Sequence, residues 1–533
     1  MEDSERMAMQ HSLFLAFPYD IHEMVVVYLA EYPVAISALA QTCRFFRSLL
    51  YFPADNHLWR NIFLGLYDDP RVAAAARLSP PTSNAGGAFL WDAEYKRRVW
   101  ACNYFRKEQR LRSLQTLHRA FPVVDDPKTT LRAFETLLSL IHTAIPHDAI
   151  EGTAAVSPVD PTRPQPSLRE LHSQLPTFPS ATNSDTSKNL HAYSTVVNRG
   201  IPVDLVRALY TVNESFFEGD LQRAFLKYVA FSGMHAISPT PSSAHVQASD
   251  PNEPQTATVD RHPPLDVRDA AHLSMAATPR KITYNMDYPG PRRMFGPFRR
   301  LHPDPSPISS HFAVDWRHVA AMRQVVEEAI VAEYGEEAPI VKPDALRDGR
   351  WIAAPVAASS DDEHPSGDVS ADRDWAGVAG IWRRLVTWYD YELLEALNDS
   401  DFDEQLMRMA TDSEVHTPTI MRLRVVSYTH DDGSPEGFPT INFEGQSGIV
   451  GDDEEVIDHE ERYMDGSVSL LGDDNIRWSM CTYQDATKQK RQWGSEGVQL
   501  GGVGSIAGVL GLWTGATHRP EDPIGSWWQW RVQ

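Results

Sequence analysis

Gly502-Val503-Gly504-Ser505-Ile506-Ala507 fits the pattern G-x-G-x-x-[GA], and an acid, Asp522, follows about twenty residues later. In a dinucleotide site such glycines let the backbone approach a pyrophosphate at a helix N-terminus, and the acid holds a ribose hydroxyl. That chemistry needs a strand before the glycines and a helix after them. Gly508, Gly511 and Gly515 instead interrupt any helix, Pro520 and Pro523 follow, and the residues up to Gln533 leave no span for a second parallel strand. No nicotinamide, flavin or other cofactor is expected. The glycines read as strand bends and bulges in a small barrel. Trp493, Trp513, Trp527, Trp528 and Trp530 stand among them and are expected to fill the barrel's interior or its mouth.

Guanidinium groups beside aromatic rings suit an acidic or phosphorylated peptide, because arginine forms paired hydrogen bonds to carboxylate and phosphate. Arg383 and Arg384 lie between Trp382 and Trp388, and Arg422 and Arg424 share one face of a strand. Each pair fits the solvent side of its strand as well. Glu496 caps an opening or sits in a surface turn. Arg383, Arg384, Trp388, Trp478, Glu496 and Trp513 are the residues expected at a target or ligand site. No catalytic or metal-binding residue is expected. His459 stands in an acidic run, 451–466, whose irregular carboxylate spacing reads as a solvated loop. His311, His318, His430 and His518 show no ligand spacing, and no serine sits in G-x-S-x-G, so a hydrolase triad has no support. The basic residues from Lys96 to Arg112 fit the wet face of a connecting helix, or contact with an acid-rich partner.

The elements that must carry these residues change character along the chain. Apolar residues at helical spacing fill 13–67, and helical patterns cover 88–150 and 189–237. Pro, Ser and Thr dominate 151–188, and 238–280 and the acidic 338–373 are equally poor in large apolar residues. All three stretches are expected to be disordered. Residues 281–337 read as a helical or extended lead-in. From 374 to 533 the period becomes two: Met421, Leu423 and Val425 alternate with Arg422 and Arg424. Ile476, Trp478 and Met480 alternate with Arg477, Ser479 and Cys481, after a turn signal at 472–475; Trp528, Trp530 and Val532 alternate with Gln529 and Arg531. Short strands between Gly, Asp and Pro turns predict an antiparallel sheet that closes into a barrel or sandwich.

A net charge of −23 argues against nucleic acid or an anionic membrane surface as the main partner. A modest hydrophobic fraction of 42% and 38 prolines fit folded parts joined by disordered insertions. The 3 cysteines, Cys43, Cys102 and Cys481, are too scattered for a disulfide framework and suit a reducing compartment. The polar start lacks a signal-peptide pattern and no apolar run reaches membrane-span length, so a cytoplasmic or nuclear protein is expected.

The most specific pattern lies near the N-terminus. Phe17-Pro18-x-Asp20-Ile21, Val25-Val26 and Tyr28-Leu29 are followed by Leu39, by Thr42-Cys43-Arg44-x-Phe46-Arg47-x-Leu49, and by Leu58-Trp59-Arg60. Ile21, Met24, Val25, Tyr28 and Leu29 form an apolar stripe on one helix that begins at Pro18, and 33–50 reads as a second short helix. This segment resembles an F-box. Phe17 stands where the family has Leu, Asp20 where it has Glu, and His22 where it has Leu, which interrupts the stripe. The resemblance implies a three-helix unit that docks on the Skp linker protein and, through it, on a cullin. Phe17, Pro18, Ile21, Val25, Leu29, Leu39, Cys43, Phe46 and Trp59 match family positions that pack inside the unit or against the linker. Residues 374–398, 438–445, 466–480 and 493–530 resemble the C-terminal half of a group of fungal F-box proteins. The last segment also loosely resembles the β-barrel substrate domain of some animal F-box proteins.

The expected chain is therefore α+β and multidomain: a three-helix F-box, a helical middle, long disordered insertions and a C-terminal antiparallel β-domain. What the resemblance implies is a non-catalytic adaptor of an SCF-type ubiquitin ligase, with the β-domain capturing an unidentified protein. A Skp-bound scaffold outside any ligase and a small-ligand barrel are the alternatives.

Overall fold

The computed structural model describes residues 14–53, 56–71, 89–115, 126–145, 166–178, 187–200, 219–233, 279–286, 295–300, 312–335, 338–346, 374–399, 413–430, 438–451, 455–457, 461–471, 475–502, 505–519 and 521–532. The chain forms two compact units: Met1–Ile145 with Thr186–Val196, and Pro146–Asp185 with Val197–Gln533. The helical stretch expected at 189–237 is thus divided between them.

The first unit is helical. Pro18, in an extended conformation (φ −55°, ψ 150°), precedes α1 (Tyr19–Tyr28) as its cap rather than lying within its first turn. A 3₁₀ turn, Leu29–Glu31, leads to α2 (Pro33–Thr42), whose first position holds proline, where the missing N–H costs nothing. The single helix expected over 33–50 is two. Cys43 is extended (φ −156°, ψ 167°) and separates α2 from α3 (Arg44–Tyr51). With α4 (His57–Leu66), the F-box-like stretch holds four α-helices where three were expected. Trp59 closes the core, its indole N–H donating to the Leu50 carbonyl at 2.8 Å.

The chain continues as α5 (Trp91–Gln115), α6 (Pro127–His142), α7 (Leu168–Gln174) and α8 (Lys188–Arg199). Tyr95 donates to the Ala30 carbonyl at 2.8 Å and ties α5 to the preceding helices. Arg98, read in sequence as part of a wet basic stripe, is buried. Its guanidinium donates to Glu94 at 2.8 Å, Asn189 at 3.0 Å and Thr143 at 2.9 Å. Asn189 in turn accepts from the Asp68 N–H at 3.1 Å. Residues more than a hundred positions apart thus share one polar network.

In the second unit, parts of all three stretches expected to be disordered are ordered. α7 falls within 151–188. It starts with a reciprocal capping box between Ser167 and Glu170 and buries Leu168 and Leu171. Arg280, at the end of 238–280, is buried and donates to Glu414 at 3.1 Å. The 3₁₀ turns Pro339–Val341 and Pro343–Leu346, at the start of 338–373, bury Ile340 and Leu346. Composition averaged over these stretches hid short segments that reach a core. The rest of each stretch lies outside the described residues. Helix α9 (Asp220–Ser232), hairpin β1 (Phe298–Arg300) and β2 (Phe312–Val314), and α10 (Trp316–Tyr334) complete the lead-in.

The remaining strands are β3 (Gly380–Trp388), β4 (Val415–Thr429), β5 (Thr440–Ile449), β6 (Arg462–Leu470), β7 (Ile476–Tyr483), β8 (Arg491–Gln499), β9 (Val509–Gly515) and β10 (Ile524–Arg531), with α11 (Tyr391–Asn398) between β3 and β4. Each strand pairs antiparallel with its chain neighbours, and β10 pairs back onto β3, closing an eight-stranded up-and-down barrel. Between the barrel and sandwich expected from sequence, the closed barrel is the observed form.

The strands are covered on both faces. Trp528 and Trp530, expected in the barrel's interior or at its mouth, point outward. Trp528 lies beneath Arg323 of α10, whose guanidinium sits 4.2 Å from its ring. Trp530 donates to the Thr177 carbonyl at 2.8 Å and stacks on Phe178. Trp527 takes the inner position, and glycines make room for it. A Cβ on Gly511 would lie 2.4 Å from the Trp527 ring, and one on Gly497 would lie 2.5 Å from it. Gly511→Val is expected to destabilise the barrel by about 1–3 kcal/mol through overpacking. The readout is a lower melting temperature of near-ultraviolet circular dichroism; an unchanged melt would contradict this packing.

Candidate functional site

Two regions combine exposure with chemistry, one in each unit. In α1 the buried positions are His22 and Val26, and Ala30 of the following 3₁₀ turn continues the same four-residue spacing. His22, which interrupts the expected stripe, is itself core. Its Nε2 bonds the Phe14 carbonyl at 2.8 Å, and its ring meets Phe45 and Phe46. The stripe faces outward instead: Ile21, Val25 and Leu29 are half-buried, while Met24 is 53% and Tyr28 81% exposed. The remaining F-box-like positions separate in the same way. Phe17 and Pro18 are exposed, Leu39 and Cys43 are half-buried, and Phe46 and Trp59 are internal.

Sequence reasoning overlooked several further exposed groups, Tyr19, Tyr32, Val34, Tyr51 and Phe52. The signal available was an excess of large apolar residues over what so short a helical unit can bury. Among the described residues, nine of the thirteen exposed large apolar side chains fall between Phe14 and Phe52, which sets this stretch apart from the rest of the surface.

The barrel interior has two halves. Toward one end the inward side chains are packed: Trp382, Met421, Leu423, Phe443, Trp478 and Gln499 are all buried. Trp478 lies in this core, donating to Gln499 at 3.1 Å with its ring against Trp382 and Phe443, so it is not a surface contact. Toward the other end the inward residues Val386, Trp388, Thr417, Thr419, Trp493 and Trp513 are only half-buried. Among the described residues the barrel is therefore a cup, packed at one end and partly exposed at the other, where Trp388 and Trp513 lie.

Arg384 forms the floor of the cup at 7% exposure. Its Nε and Nη2 donate to Gln529 Oε1 at 3.2 and 2.7 Å, and its guanidinium lies 4.4 Å from the Trp527 ring. Burial alone pushes its pKa down, to about 9. Arg383 faces the opposite side of the strand, where its guanidinium donates to the carbonyls of Leu175 and Pro176 at 3.1 and 3.2 Å. The two arginines cannot grip one anion, because neighbouring strand residues point to opposite faces. Arg422 and Arg424 lie on the outer face of β4, and Arg424 pairs with Glu444.

Glu496 neither caps an opening nor sits in a turn. It is an outward residue of β8, held by Arg477 at 2.9 Å and Ser479 at 2.8 Å. It borders an outer groove of about 570 Å³ that also includes Asp465, Cys481, Lys488 and His518. The glycine pattern has a structural role. Gly501 and Gly502 turn the chain at positive φ (78° and 80°), and the residues that follow enter strand β9 rather than a helix. Asp522 accepts from the Arg519 N–H at 2.9 Å within the β9–β10 turn. His459 lies outside the described residues. Among the described residues, no cluster of three His, Cys, Asp or Glu is arranged to hold a metal ion, and no helix is long and apolar enough to cross a membrane.

No protein family, curated protein or solved structure matches this chain.

The sorting of the first unit has a direct test. Phe46→Ala is expected to cost about 3–5 kcal/mol, as for a buried aromatic, whereas Phe17→Ala and Tyr28→Ala stay within about 0.5 kcal/mol. Thermal melts of the three full-length variants check this; equal losses would contradict the assignment of core and surface.

Proposed function

We propose that the chain is a substrate-recognition adaptor of an SCF-type ubiquitin ligase, its N-terminal helices binding the Skp linker and its barrel unit holding a target protein. The observation that carries the reading is the concentration of exposed apolar side chains on the stretch that resembles an F-box. Phe17 and Tyr28 stay in water although the same unit buries Phe46, Trp59 and Phe63. A helical unit that leaves large rings exposed gains by covering them, and a few such anchors dominate binding at a protein interface. On this reading the adaptor performs no bond chemistry. It raises the local concentration of target beside the ligating enzyme. A second reading, a small-ligand barrel, is favoured by the half-open cup.

Full-length protein is expected to capture purified Skp linker, and a cullin with it. Phe17→Ala combined with Met24→Asp and Tyr28→Asp is expected to weaken linker binding by about 100-fold or more with an unchanged melt, since two or more anchors of about 2 kcal/mol each are lost. Wild-type protein that ignores the linker would end the adaptor reading. Linker capture without cullin would move the function to a scaffold outside the ligase.

A further inference from the structure

The open half of the barrel is chemically one-sided. Arg384 is its floor, and no described carboxylate pairs with it. Its contacts are the neutral Gln529, Trp527 and Met480, whose sulfur lies 3.3 Å from Nη2. At the closed end the Arg531 guanidinium is also pushed down by burial, to about 10, but there the carboxylate of Asp374 acts in the opposite sense. Nothing comparable answers the charge of Arg384, whose pKa is lowered by burial alone.

Inward residues of the barrel add unpaired polar atoms. Trp527 Nε1, Gln529 Nε2, Trp513 Nε1 and Thr482 Oγ1 are buried without a hydrogen-bond partner. Trp527 and Gln529 are fully buried, and both touch the guanidinium. Three of these four atoms can only donate, and the hydroxyl can donate as well. A buried donor without an acceptor carries an uncompensated desolvation cost, which an incoming acceptor removes. Such atoms are uncommon in folded proteins, and these four belong to inward residues of one barrel.

We infer that the open half of the barrel binds a small organic carboxylate, its charge on Arg384 and its apolar body against Trp388 and the edge-to-face pair Trp493 and Trp513. A single floor cation matches one negative charge better than the two of a phosphate monoester. Half-buried tryptophans at the rim supply flat apolar surface for the rest of the molecule. An eight-stranded barrel has the width for one such ligand. The inference rests on the small-ligand reading of the barrel and is independent of linker binding.

The test is isothermal titration calorimetry of the full-length chain with 4-phenylbutyrate, 4-phenylbutyramide, 4-phenylbutylammonium and phenethyl phosphate. The carboxylate is expected to bind about 30-fold more tightly than the amide, which replaces a charge-assisted bond by a neutral one. The ammonium is expected not to bind. Arg384→Gln should erase the preference for acid over amide, and Trp388→Ala should weaken both probes alike. If no probe binds, the small-ligand reading itself falls. If acid and amide bind equally, or the phosphate binds most tightly, the cup takes a ligand but the carboxylate assignment falls. The comparison of acid with amide uses wild-type protein, so it stands even where Arg384→Gln fails to fold.

Discussion

The pairing of β10 with β3 is the contact on which the second unit depends. It sets Gln529 opposite Arg384 and Trp530 opposite Arg383, and it removes both sheet edges. Once the sheet is closed, inward and outward are defined for every strand residue. Gln529 can then accept from Arg384 within the barrel, while Trp530 must find its partners outside it. Opening this seam would expose two strand edges and leave the arginine at the floor without its acceptor.

Closure also explains why Arg384 and Gln529 lie inside while Trp528 and Trp530 lie outside. The barrel carries a second apolar layer, made by α7, α10 and the 3₁₀ turns, against its outer face. Trp528 and Trp530 fill that layer. The inner space is narrow, so one Trp527 ring set against two glycines occupies much of the level above the packed half. Arg384 is then held by one amide oxygen and one aromatic face. That is a poor environment for a lone cation and a good one for a cation awaiting an anion.

The helical unit solves the opposite problem. It has more large apolar side chains than its short helices can enclose. His22 enters the core by satisfying one ring nitrogen on the Phe14 carbonyl, and the stripe of Ile21, Met24, Val25 and Tyr28 is turned outward. The residue that looked like a flaw in the stripe marks the inner face. Cys43 adds the extended residue that lets two short helices turn against each other in place of one long one.

Local pattern determined the paired strands on either side of 472–475, the alternation of Met421 and Leu423 with Arg422 and Arg424, and the helical character of the first unit. Each depends on residues within a few positions of one another, so spacing was enough. The S-x-x-E box at Ser167 was equally local, and a Pro- and Ser-rich surrounding concealed it. Only the tertiary structure decided which side of each strand is inside. A strand covered on both faces has no polar side to betray its orientation. It separated Arg383 from Arg384, sent Trp528 and Trp530 outward, made Glu496 an outer-face ion-pair partner, and brought Asp68, Arg98 and Asn189 together. Those outcomes follow from ring closure and from contacts between residues far apart in the chain, which no window of sequence contains.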